Sequence, residues 1–249
     1  MNPVDKKNIL VIGDSCRDIF VYCDAKRLCP EAPVPALIEI FSVENGGMAK
    51  NVYANLKILH KDVDLYTNSN WFDITKKRYV HEGTNHMFFR VDNELKIDRI
   101  NTSLLDFNYN AIVISDYNKG FLHEKDIEYI CSNHNNVFLD TKKILGSWAS
   151  KAKFIKINNY EYERSKDIIE RSTLKEITIH THGSEGCYFQ GKHFPVKKVD
   201  VIDVSGAGDT FLAGLVSKYL YTNNIEQSIN FANECALSVI QERGVSTLK

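Results

Sequence analysis

Short apolar runs rich in Val, Ile and Phe recur along the chain, at residues 9–12, 63–66, 111–115, 137–140, 154–157 and 177–180. Each is the length of a strand and predominantly apolar, as buried parallel strands are. Segments with helical spacing lie between several of them, at 48–59, 125–131 and 159–169. Two longer helices are predicted to close the chain, from 207 to about 221 and from 225 to about 241, broken at Thr222-Asn223-Asn224. That alternation predicts a parallel sheet covered by helices on both faces. Two segments fall outside it. Residues 34–43 read as an extended strand after Pro30, Pro33 and Pro35, and 77–81 with 87–91 read as a hairpin around Glu82-Gly83-Thr84-Asn85. Such additions to an α/β sheet predict a small β lid over its edge, within one domain spanning 1–249.

The chemistry concentrates near the end of the chain, in Asp203-Val204-Ser205-Gly206-Ala207-Gly208-Asp209 followed by an apolar helical run. Glycines opening onto a helix N-terminus present bare N–H groups and the positive end of the helix dipole, which favour an anion. Asp209 beside them is a candidate base for a hydroxyl attacking a phosphate. Its alternative role is a helix cap. The N–H groups of Gly206, Ala207 and Gly208 are the candidate anion hole. A bulky residue at Gly206 or Gly208 is expected to harm catalysis without greatly disturbing the fold.

The 31 basic and 32 acidic residues leave a net charge of −1, so no nucleic-acid partner is implied. No apolar run is long enough to span a bilayer. The leading residues are too short and wrongly flanked for an export signal. The six cysteines show no CxxC pair and read as reduced thiols of a cytoplasmic protein. Cys16 reads as a small space-filling residue rather than a nucleophile. No GxGxxG follows the first strand, which argues against a dinucleotide-dependent oxidoreductase.

Taken in order, Gly13-Asp14 with Asp18, Gly46-Gly47 with Asn51, Asn158-Asn159-Tyr160-Glu161, Thr181-His182-Gly183-Ser184-Glu185-Gly186 and the Asp203–Asp209 loop resemble the ribokinase-type (PfkB) carbohydrate kinases over almost the whole length. Within that family the chain is most similar to heptose 7-phosphate kinases, including the kinase half of bifunctional ADP-heptose synthases. The supporting stretches are Arg27–Pro35, Arg90-Val91-Asp92, Ser115–Gly120 and Asp140-Thr141-Lys142. The nucleotidyltransferase half of those enzymes is not expected in this sequence.

The resemblance implies a ribokinase-like three-layer α/β sandwich with a mostly parallel central sheet. It also implies ATP-dependent phosphorylation of a sugar or sugar phosphate, with Mg²⁺ and, as in some members, K⁺ bound through carbonyls near Asp203 and Ser205. Asp18, placed just past the first strand, and Asn51 would accept or donate hydrogen bonds to sugar hydroxyls at the Gly46-Gly47 turn. The alternative for Asn51 is a helix-surface amide, and Asp14 reads as a sugar ligand or a turn stabiliser. Glu161, through water, and Asn158 would organise the metal, or form a capping box; both can hold at once. Thr181, Gly183, Ser184 and Gly186 would hold ribose and phosphates, and Asn233 the adenine or merely a helix surface. Arg78, Arg90, Lys119 and Lys142 are candidates for a phosphate already on the substrate, or solvated surface charges. A homodimer through the lid strands, using Phe88, Phe89, Ile38 and Ile40, is expected.

Two departures concern the sugar. Thr67-Asn68-Ser69-Asn70 runs almost directly into Trp71, where relatives carry a longer segment, and this is expected to open one side of the sugar pocket. Ile19 follows Asp18 where the heptose kinases carry a basic residue. A catalytically silent homologue that binds nucleotide or sugar as a regulatory subunit is the alternative function.

Overall fold

A computed structural model describes residues 7–248. Residues 1–6, and with them most of the leader considered above, lie outside the described residues. The chain begins with β1 (Lys7–Gly13) and passes at once into β2 (Arg17–Leu28) and β3 (Pro35–Asn45). Helix α1 (Gly47–Leu59) returns it to β4 (Val63–Thr67), after which β5 (Thr75–His81) and β6 (Met87–Asn93) form a hairpin. Strand β7 (Tyr109–Asp116), α2 (Glu124–Asn133), β8 (Val137–Thr141), β9 (Phe154–Asn158), α3 (Asn159–Glu170) and β10 (Thr178–Thr181) continue the alternation. Two short strands, β11 (Cys187–Phe189) and β12 (Lys192–Phe194), precede α4 (Ala207–Thr222) and α5 (Ile225–Val239).

The strands form two sheets. The larger has the order β12-β11-β10-β9-β8-β7-β1-β4, parallel except for the antiparallel edge β10-β11-β12. The smaller has the order β3-β2-β5-β6, with only β2 and β5 parallel. Alternation along the central strands divides the core into two. Ile9 and Val11 of β1 and Ala111 and Val113 of β7 pack with Val52, Leu56, Leu215, Val216 and Ile229 from α1, α4 and α5. Leu10, Ile12, Ile112 and Ile114 face the other way, onto Ile127 and Ile130 of α2 and Ile169 of α3. This is the expected α/β three-layer sandwich. The expected hairpin and helix boundaries hold closely, including the break at 222–224. There Asn223 adopts the left-handed conformation (φ 49°) and the Asn224 side chain caps α5 through the Gln227 N–H.

Asp18 lies just past the end of β1, as expected, but within an element that the sequence did not show. It lies near the start of β2, a 12-residue strand unforeseen because Ile19, Val21 and Cys23 alternate with the equally apolar Phe20 and Tyr22. Both faces of its first half are buried, so neither a clean period of two nor of 3.6 marks it. All six cysteines are free. Among the described residues, no helix is long and apolar enough to cross a membrane.

Candidate active site

Because β1, β7, β8, β9 and β10 run parallel, their C-terminal ends share one edge of the large sheet, where open α/β sheets bind ligands. Asp14 follows β1 there, Tyr117 follows β7, Lys142 follows β8, Asn158 ends β9 and Thr181 ends β10. Helix α4 points its N-terminus at the same edge. A cleft of about 920 Å³ opens between them, lined by Gly206–Asp209, Lys142, Lys156, Asn158, Thr181 and Asn233 among others.

Asp209 stands in the first turn of α4, 5% exposed. Its Oδ2 accepts from Asn51 Nδ2 of α1 at 2.9 Å, and its Oδ1 accepts from the Tyr117 hydroxyl at 2.9 Å. Burial pushes its carboxyl above the usual range, only partly opposed by the hydrogen bond from Asn51. Asn51 is therefore a buried amide held on this carboxylate, not a helix-surface one. Asp14 is fully buried and its carboxylate accepts the N–H groups of Tyr117 and Phe121 at 2.8 and 3.3 Å. It fixes the turn that carries Tyr117 to Asp209. Burial, then the neighbouring Asp116, raises its pKa.

Of the three amides expected in the anion hole, Ala207 N–H turns back to Val204 O at 3.3 Å. Among the described residues, the N–H groups of Gly206 and Gly208 have no protein acceptor. Gly206 has φ 81°, a conformation that side chains with a Cβ resist. A Cβ there would also stand 2.8 Å from Val245 Cγ1 and 3.0 Å from Asn51 Nδ2. Gly206 is therefore a structural as well as a site residue, contrary to the sequence expectation. A Cβ on Gly208 would meet Lys156 Nζ at 2.9 Å, so that ammonium lies directly against the loop.

The charges around the loop form one chain. Lys156 Nζ reaches Asp140 Oδ2 at 2.7 Å. Lys142 Nζ lies 3.4 Å from Asp140 Oδ1 and 2.6 Å from Glu161 Oε1. Burial pushes the Asp140 carboxyl up, but Lys142 and Lys156 outweigh it and hold the pKa below the usual range. Asn158 and Glu161 form a capping box: Asn158 Oδ1 accepts the Glu161 N–H at 3.0 Å and Glu161 Oε2 accepts the Asn158 N–H at 2.8 Å. Among the described residues, no three His, Cys, Asp or Glu side chains are grouped to hold a metal. A divalent ion would have to arrive with its own oxygen ligands, as an ion carried on nucleotide phosphates does.

Thr181, Gly183, Ser184 and Gly186 line the same cleft as Val199, Val201, Val204, Leu237 and Ile240. This combination of polar turn and apolar wall suits a nucleoside. Asn233 is buried, lines the cleft and donates to Phe194 O at 3.2 Å. Gly46, Gly47 and Asp18 do not line this cleft; they gather at the N-terminus of α1. Asp18 pairs with Arg78, and a Cβ on Gly47 would fall 3.3 Å from that of Asp18. Arg78 and Arg90 are opposite each other on β5 and β6, as expected, but Arg90 is exposed and paired with Asp92 at 2.8 Å. Lys119 lies outside the cleft. It pairs with Glu94 and borders a separate hollow with Arg99, His123 and Lys125.

Sequence reasoning missed Tyr117, Lys156 and the wall at 196–204. Lys156 did leave a signal, since a lysine between Ile155 and Ile157 in a buried strand requires an anionic partner. The short strands β11 and β12 fell below any length at which periodicity is readable.

Fold and site together define an α/β sandwich of ribokinase-like architecture with a cleft at the C-terminal edge of its parallel strands. The chain belongs to the pfkB family of carbohydrate kinases, whose model matches residues 113–249. It is 29% identical to the bifunctional protein HldE of Helicobacter acinonychis, over 96% of this chain and 64% of that protein, and so spans under two thirds of that relative's length. Its fold is similar to a ribokinase from Thermotoga maritima, with a TM-score of 0.71 at 18% identity, covering 96% of this chain and 94% of that one. A nucleoside kinase of Methanocaldococcus jannaschii gives a TM-score of 0.70 at 18% identity, with the same coverage.

Proposed function

We propose that this protein transfers the terminal phosphoryl group of ATP to a hydroxyl of a heptose 7-phosphate-type sugar. The observation carrying the reading is the buried Asp209 carboxylate, held by Asn51 and Tyr117 at the head of a helix whose Gly206 and Gly208 amides are open. Asp209 takes the proton of the attacking hydroxyl as the new oxygen–phosphorus bond forms and the bond to ADP breaks. The two open amides, with Lys156 and Lys142 nearby, favour the charge spread over the phosphoryl oxygens. Asp18 and Asn51 orient the acceptor. Thr181, Gly183, Ser184 and Gly186 hold the nucleotide, with its base against the apolar wall near Asn233. Glu161 and Asn158 would hold Mg²⁺ through water, and the ion would supply charge neutralisation to the phosphoryl oxygens. K⁺ near Asp203 and Ser205 belongs to the same proposal.

The chain acts in this reading as one unit, with the small sheet as its lid. Exposed Ile38, Ile40, Phe89 and Val91 on that sheet support pairing with a second copy, whereas Phe88 packs inward against the cluster of Ile19, Val21 and Cys23. Heptose specificity has its support in the stretches shared with HldE-type sequences.

The test is ATP consumption over a panel of sugars and sugar phosphates. A heptose 7-phosphate is expected to be the best acceptor, and Asp209→Asn to lose at least about 10²-fold in turnover while still binding ATP. Full activity in that variant would remove Asp209 from its role. Nucleotide binding with no accepted sugar would favour the silent, regulatory homologue instead.

A further inference from the structure

The face of the small sheet that carries Asp18 holds three cations. Residues opposite one another share a face, so Asp18, Lys76 and Asp92 form one cross-strand row and Phe20, Arg78 and Arg90 the next. Arg78 pairs with Asp18 and Arg90 with Asp92. Lys76 has no carboxylate partner among the described residues. Its half-buried ammonium donates to Met48 Sδ at 3.4 Å and lies 5.6 Å from the centre of the Tyr117 ring. A thioether is a weak acceptor, and an ammonium carries three protons. A half-buried charge left so poorly matched favours an anion from outside.

The surroundings fix where such an anion would belong. Met48 follows the Gly46-Gly47 turn and is held at φ 48°, a strained value for a residue with a side chain. The Tyr117 hydroxyl is bonded to Asp209. Lys76 is not among the residues lining the nucleotide cleft; of the four lysines that do line it, Lys142 and Lys156 are anchored by carboxylates. Lys76 thus touches the residue that follows the Gly46-Gly47 turn and the same tyrosine ring whose hydroxyl is bonded to Asp209, which places it at the acceptor end of the proposed site.

We propose that Lys76 is a specificity-determining residue that binds a phosphate ester already present on the sugar acceptor, distinct from the group being transferred. This rests on the sugar-kinase reading above and adds the residue that selects an anionic acceptor. None of the four cations singled out by sequence holds this position.

The test compares turnover of D-glycero-D-manno-heptose 7-phosphate with that of the unphosphorylated heptose, in wild type, Lys76→Met and Lys76→Arg. The ratio of kcat/KM for the phosphorylated over the neutral acceptor is expected to fall about tenfold or more in Lys76→Met, chiefly through KM, and to be largely restored by Lys76→Arg. Equal losses on both acceptors, or a loss confined to kcat, would assign Lys76 to the transferred group and overturn the proposal. Calorimetry with inorganic phosphate, the cleft filled by a non-hydrolysable ATP analogue, gives a readout independent of turnover. Wild type should bind phosphate at least about tenfold more tightly than Lys76→Met. Equal affinity, or no binding by wild type, sinks the idea. Were phosphate to bind through Lys76 while no heptose phosphate is turned over, the heptose reading would fall and this one stand. Lys76→Gln serves if Lys76→Met does not fold.

Discussion

Replacing Lys156 by Met tests the charge network beneath the phosphoryl loop. The Lys156 side chain is 4% exposed and that of Asp140 is 3% exposed, so the pair, 2.7 Å apart, is shielded from water. Methionine fills most of the same volume, so little cavity is made. The cost comes from leaving Asp140 buried with only Lys142, at the longer distance of 3.4 Å. Breaking a buried pair from one side costs about 3–5 kcal/mol; the remaining lysine argues for the lower end, about 3 kcal/mol, or more than a hundredfold in the folding equilibrium. Urea unfolding should show this as a lowered midpoint at an unchanged slope. The double variant Asp140→Asn/Lys156→Met removes the stranded charge and should cost clearly less than the two single changes added together. Acid titration gives a second reading. Asp140 has a folded pKa below its usual value, so its contribution is present above the ordinary carboxylate range and is lost as pH falls through the folded value. In Lys156→Met that loss should begin at higher pH. A single variant within about 1 kcal/mol of wild type, or strictly additive changes, would refute the assignment of a coupled buried pair.

Three further outcomes follow from Asp209 and Gly206. Burial raises the Asp209 pKa, so turnover should fall on acidification at a pH above the ordinary carboxylate value, as measured by a kcat/KM profile. A raised carboxyl favours the fold when protonated, and that contribution disappears as pH rises through the folded pKa. Asp209→Asn should therefore be at least as stable as wild type at neutral pH, by thermal melting, with the gap closing in acid. Gly206→Ala forces a left-handed alanine and presses on Asn51, and should cost about 1–2 kcal/mol in addition to turnover.

How much of this was readable beforehand depended on how far each signal was local. The parallel strands and their helices were legible because each is long enough to display its own period, as in Ala111–Ile114, where alternate residues serve opposite cores. The helix-opening glycines and the Asn158–Glu161 box were legible because their partners lie within a few residues. The rest depended on folding. Nothing near Tyr117 in sequence announces that its hydroxyl meets a carboxylate 92 residues later, and Asn51 meets the same carboxylate across 158 residues. Lys119 and Lys142 looked alike as charges after strands, yet one lies beside Glu94 outside the cleft and the other on Glu161 within it. Only the crossing of the chain separates them.

The short connection between β4 and β5 has a physical role of its own. The residues after β4 form consecutive tight turns, with Trp71 N–H on Asn68 O and Asp73 N–H on Asn70 O, while Asn68 Oδ1 accepts the Ser15 N–H at 2.8 Å. This carries Trp71 to the Lys50 ammonium, 3.4 Å from a ring centre. The Lys50 stem crosses Gly46 so closely that a Cβ there would lie 2.5 Å from Lys50 Cβ. Burial lowers the Lys50 pKa, and the indole face offsets part of that desolvation. Trp71, Lys50 and the Gly46-Gly47 turn thus form one strut, and the next residue along, Asn51, holds Asp209. Trp71→Ala should cost about 0.5–2 kcal/mol from the lost cation–π contact, and should raise KM for the sugar while leaving KM for ATP nearly unchanged. Trp71→Phe, which keeps an aromatic face, should restore most of both. An ATP-side defect in Trp71→Ala, or no change for either substrate, would show that the short connection merely joins two strands and takes no part in holding the acceptor end.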